Sequence, residues 1–131
     1  MSDVIKMTGR LLVFDKPDIN RNIFPKGCEI TFPEKVPVIR NFQFDRPDAV
    51  LGSATVTKDE KGLVCDVELT NFDRNVLHEY FGDELYIGGY YDQAKMGYKN
   101  GVKIINKARL VCIGTVFDPA DVELKIVLKE D

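Results

Sequence analysis

A chain of 131 residues is long enough for one domain, residues 1–131, whose hydrophobic core needs no disulfide or metal staple. Its 44% hydrophobic and 30% charged residues are the mix of a globular protein, and a formal charge of −3 with interspersed signs supplies no bulk basic field, so no nucleic acid partner is expected. No apolar run approaches the roughly 20 residues of a membrane helix, and MSDVIKMTGR lacks the apolar segment of a signal peptide, so no membrane partner is expected either and the expected compartment is a cytoplasm.

Val4 to Phe14 reads as a first strand with Gly9 as a bulge. Asp15 to Lys26, rich in Pro, Asp and Asn, reads as a long loop. Gly27 to Phe32 gives a short strand that Pro33 ends, and Val36 to Ile39 resumes extended structure, Pro37 marking an edge or a strand start. Arg40 to Asp48 holds two phenylalanines, two arginines and two aspartates in nine residues. It reads either as a stacking or ion-pair surface for a partner or as a loop whose Phe42 and Phe44 tuck under the sheet. Val50 to Leu69 alternates with period two on both sides of Lys58-Asp59-Glu60-Lys61-Gly62, where an Asp can bond the turn backbone and a Gly accepts positive φ. That is a hairpin.

Thr70 to Gly82 is the one convincing helix: Asn71 or Asp73 can cap it, Gly82 can end it, and Phe72, Val76, Leu77, Tyr80 and Phe81 form an apolar stripe that leaves His78 on the solvent side. Glu84 to Tyr91 reads as a strand disturbed by Gly88-Gly89, Asp92 to Asn100 as a polar loop, and Asn100-Gly101 as a tight turn. Val102 to Phe117 is a long strand, apolar on both faces from Val111 to Val116 and therefore central. After Asp118-Pro119-Ala120, Val122 to Leu128 alternates as a closing strand. The sum is a mainly β domain, antiparallel and barrel-like, with one helix.

Cys28, Cys65 and Cys112 are odd in number and embedded in apolar strands, the pattern of buried reduced thiols. A catalytic thiol would need an exposed electropositive setting and a base, and His78 is the single histidine. No phosphate loop, metal cluster or dinucleotide fingerprint occurs, so no cofactor and no metal is expected.

Three segments, in order, resemble the prohead (capsid maturation) proteases of tailed bacteriophages, serine proteases with a fold similar to herpesvirus assemblin. Ile23-Phe24-Pro25-Lys26-Gly27-Cys28 stands after an Asp-containing loop. Val36-Pro37-Val38-Ile39 precedes Val50-Leu51-Gly52-Ser53-Ala54 and Asp59-Glu60-Lys61-Gly62-Leu63. Leu110-Val111-Cys112-Ile113-Gly114-Thr115-Val116-Phe117-Asp118-Pro119-Ala120 matches the last family stretch in spacing. The resemblance covers residues 8 to 128 and implies the assemblin-like fold.

It also implies a histidine base after the Val36 strand and a nucleophilic serine on the strand after the helix, yet Arg40 to Asp45 contains no His and Leu85 to Tyr90 no Ser, Thr or Cys. Losing both members of such a unit costs on the order of 10⁶-fold in rate. Cys112 and Gly114, where the family carries Glu and Ser, suggest an interior repacked with small residues. The expected protein is thus no enzyme but a prohead-protease-like phage or prophage structural protein, a decoration or assembly factor in the virion or the host cytoplasm. Its partners would be coat or scaffold protein and, since coat lattices are symmetric, further copies of itself. Candidate partner-binding residues are Phe42, Phe44, Arg46, Tyr86, Tyr90 and Tyr91, with the Asp15 to Lys26 loop as a further surface. Two other readings stand beside it: an active protease pairing Ser53 or a cysteine with His78, and a β-barrel binding module unrelated to phage.

Overall fold

The computed structural model describes residues 4–17, 21–116 and 124–129. Nine strands and one helix are seen among them: β1 (Ile5–Val13), β2 (Asn22–Ile23), β3 (Glu29–Thr31), β4 (Val36–Arg40), β5 (Val50–Lys58), β6 (Gly62–Leu69), α1 (Arg74–Phe81), β7 (Glu84–Lys99), β8 (Val102–Val116) and β9 (Lys125–Leu128). The pairing β8-β4-β5-β6-β1-β9-β7 returns from β7 to β8 and closes a seven-stranded barrel, so the mainly β, one-helix architecture is the observed one. Most pairs are antiparallel, but β2, β3 and β4 all run parallel to β8.

The β5–β6 hairpin follows from its alternation. Ala54, Val56, Cys65 and Val67 pair across the two strands and point into the core, while Thr55, Thr57, Asp66 and Glu68 face out. At the turn, Asp59 Oδ1 accepts from the Lys61 and Gly62 N–H groups and from Arg10, and Gly62 takes φ of 153° against the Leu12 carbonyl. The β1 bulge lies between Arg10 and Leu12 rather than at Gly9. Inside the barrel, Ile5, Met7, Val36, Leu69, Ile113 and Ile126 are sealed from solvent in one cluster.

The helix begins where Asp73 accepts from the Asn75 and Val76 N–H groups and ends at Gly82 in the left-handed conformation. Asn71 does not cap; its amide donates to the Asp48 and Val50 carbonyls and ties the helix lead-in to β5. Only Leu77 is buried, with Phe72 and Phe81 partly buried against the core; Val76 and Tyr80 of the expected stripe are exposed. Eight helical residues bring one side chain per turn to the barrel, and the remaining apolar ones line its rim.

Asp92–Lys99 is strand, not a polar loop: β7 continues through it and pairs with β8 to the Asn100-Gly101 turn. Gly88-Gly89 leaves the pairing intact, and the irregularity falls between Tyr90 and Tyr91, where Val111 is extra in β8. Within the expected Asp15 to Lys26 loop, Asn22–Ile23 pairs with β8. The Asp118-Pro119-Ala120 stretch and Val122 lie outside the described residues. No helix among the described residues is long and apolar enough to cross a membrane.

Candidate functional site

β4, β8 and β7 lie side by side, Val38 pairing with Ile113 and Gly88 with Gly114. This places the segment after β4, the strand after the helix and the Leu110–Val116 stretch against one another on the outer face of the barrel. The extra Val111 puts Cys112 outward, in a small cluster with Ile39, Ala49 and Phe42 that is separate from the barrel interior. Cys112 and Gly114 therefore do not repack the interior, as their small size suggested; they form a shallow floor on the outside.

Phe42 covers that floor. Gln43 N–H donates to the Arg40 carbonyl at 3.1 Å around Asn41 (φ 48°) and Phe42 (φ 55°), the sign pattern of a type I′ turn. Asn tolerates positive φ; for Phe it costs roughly 1–2 kcal/mol. The turn is held because Asn41 N–H donates to the Thr115 carbonyl at 2.9 Å and the Phe42 ring rests on the two glycines. A Cβ at Gly114 would stand 2.4 Å from Phe42 Cζ, so the ring occupies the space that any other residue would need.

Phe44 then stacks outward, its ring centroid 6.2 Å from Phe42 and 5.3 Å from Tyr90. Phe44 is 55% exposed and Tyr90 48% exposed, so only Phe42 tucks under. Arg46 sits at the rim, where its guanidinium bonds both Asp48 oxygens at 3.3 Å and holds that carboxyl below its usual range. Ala49, fully buried, anchors the short 3₁₀ turn Pro47–Ala49 beneath.

Of the six predicted contact residues, the structure gathers Phe42, Phe44, Arg46 and Tyr90 into this surface. Tyr86 lies on the same face of β7, four residues from Tyr90, and lines a groove of about 420 Å³ with Arg40, Phe72, Val76 and Tyr80. Tyr91 is a correction: it shares the inward parity of the buried Leu85 and Ile87 along β7, and its ring packs on Phe24 at 4.8 Å against the core. Sequence reasoning missed Gly88 and Gly114. Each is visible as a glycine in an apolar strand, but their pairing depends on the register of two strands.

The residues that could carry hydrolysis lie in separate surroundings. Ser53 pairs with Pro37 and Glu68 and lines a small cleft with Lys6, Lys35, Asp66 and Lys129. His78 Nδ1 is 3.0 Å from Asp83 Oδ2 on the exposed end of α1, where that carboxylate's hydrogen bond raises the imidazole pKa. The three cysteines are buried and free; burial pushes Cys65 up to about 12, Cys112 up to about 11, and Cys28 above its ordinary value. Thiols so placed are protonated at neutral pH. Among the described residues no group of three or more His, Cys, Asp or Glu is placed to hold a metal ion. No protein-family model, curated protein or solved structure matches the chain.

Proposed function

We propose that this protein is a prohead-protease-like phage structural protein without protease chemistry, which binds coat or scaffold protein as a decoration or assembly factor. One observation carries the reading. The segment after β4 and the strand after the helix, where the resemblance calls for a base and a nucleophile, flank β8 on its two sides, and the Phe42 ring lies across β8 between them on Gly88 and Gly114. A catalytic cleft needs an open floor and a nucleophile within reach of a base; a strained aromatic turn closing that floor is what a contact surface uses instead.

The surface this leaves is Phe44 and Tyr90 with Arg46 at its edge. Aromatic and arginine side chains supply large contact area with few rotatable bonds and dominate the binding energy of protein interfaces. The test is retention of the coat protein of the same genome by immobilised tagged protein, compared with the double variant Phe44→Ser, Tyr90→Ser. Both side chains are substantially exposed, so the variant keeps its fold. Retention by the original protein and its loss in the variant is expected; equal retention by both places the contact elsewhere and contradicts the surface.

A further inference from the structure

Beyond the barrel, β7 and β8 continue as an arm that the aromatic surface does not use. Residues 92–109 carry Lys95, Lys99, Lys103, Lys107 and Arg109 against Asp92 alone, in a chain whose formal charge is −3. Arg109 is matched by Asp92 at 2.8 Å, and Lys107 reaches Glu29 at 3.8 Å. Lys95, Lys99 and Lys103 have no carboxylate within ion-pair distance among the described residues, and Lys95 sits directly opposite Lys107, a like-charge cross-strand pair that works against the hairpin.

Among the described residues the outer edge of the arm's β7 strand has no pairing partner. One side of β8 is covered by β2 and β3, but only β8 pairs with Asp92–Lys99 among the described residues, since β9 reaches no further than Glu84–Tyr86. Lys95 and Lys99 point to one face of that edge. Met96 and Tyr98, 48% and 77% exposed, point to the other. Beyond the two bulges between Gln93 and Met96, the run Met96–Lys99 is regular.

We infer that this edge docks an extended acidic segment of a partner polypeptide, which adds as a strand beside Met96–Lys99 with carboxylates on the Lys95 and Lys99 face and apolar side chains on the Met96 and Tyr98 face. The inference rests on the reading of the domain as a binding protein and names the chemistry of what it holds. Unpaired backbone N–H and C=O groups in a row are completed by another strand and not by phosphate, which favours polypeptide over nucleic acid. A second copy of this chain is disfavoured because its lysines would face these lysines. An acidic strand satisfies both the backbone and the charge.

The test uses the full chain and a fluorescein-labelled octapeptide of alternating glutamate and valine, read by anisotropy at low and high salt. Binding that weakens with salt, and by roughly tenfold in Lys95→Glu, Lys99→Glu, is expected. The same peptide with alternate backbone nitrogens methylated keeps its charge but cannot pair as a strand, and it should bind at least as weakly as the variant does. No binding of the parent peptide, equal binding of the methylated one, or tighter binding of an oligothymidylate that depends on the same lysines would each overturn the inference. Loss of the peptide with coat protein still retained removes only this inference, whereas peptide binding without coat retention removes only the reading above.

Discussion

A single methyl group at Gly114 tests whether the Phe42 ring holds the outer floor. A Cβ there would lie 2.4 Å from Cζ and 2.5 Å from Cε1 and Cε2, about 1 Å inside ordinary contact. Gly114 is fixed by β7 on one side and β4 on the other, so the ring must move rather than the strand. Gly114→Ala should therefore destabilise by about 1–3 kcal/mol, as overpacking does. Phe42→Ala removes a partly buried ring and should cost about 2 kcal/mol, below the 3–5 of a fully buried Phe. With the ring gone the new methyl meets no clash and gains from Ala's better strand entropy, so the double variant should be no less stable than Phe42→Ala alone. The coupling is then about 2 kcal/mol. Urea unfolding followed by far-ultraviolet circular dichroism measures it in a chain without tryptophan. Additivity within about 0.5 kcal/mol, or a neutral Gly114→Ala, would refute the argument.

The turn at Asp59 makes stability depend on acid. Arg10, helped by the Gly62 and Lys61 N–H groups, holds the carboxyl at about 2, below its ordinary 3.8; a depressed carboxylate stabilises above the ordinary value, and that share is lost as pH falls from about 4 toward 2. Asp59→Asn should flatten the decline of the urea midpoint over that window, and an unchanged slope would contradict it. The three thiols should stay inert to an aromatic disulfide reagent at pH 8 in the folded protein and all react in urea, whereas one fast thiol in the folded state would reopen a catalytic cysteine. On the helix, Leu77→Ala should cost about 2–5 kcal/mol and Asp73→Ala about 1, both read from urea midpoints; a neutral Leu77→Ala would mean that α1 is not anchored through that residue.

The elements legible in the sequence are those with one face buried. Val50–Leu69 alternates because one side of each strand meets the core, and Asp73 and Gly82 mark the helix ends because those positions need a side-chain acceptor and a positive φ. Asp92–Lys99 reads as loop because each of its residues is exposed or half-buried, leaving no apolar period to detect, while the buried side chains at this level of the sheet, Ile105 and Ala108, come from β8. The parallel pairing of β2, β3 and β4 with β8 joins segments far apart in sequence and has no local signature. Phe42, Phe44 and Tyr90 stand out as aromatic residues in polar or glycine-rich company, but which of them folds onto the barrel depends on Gly88 facing Gly114. Tyr91 faces inward by the alternation that buries Leu85 and Ile87, whereas the extra residue Val111 acts on β8 and turns Cys112 outward.

The most direct measurement is co-purification of the tagged protein with the coat protein of the same genome, followed by intact-mass analysis of both. A stable complex containing coat protein of full, uncut mass is the expected result. Coat protein cleaved at a defined site would show that hydrolysis survives without the missing serine and histidine, and the absence of any complex would contradict a coat-binding role.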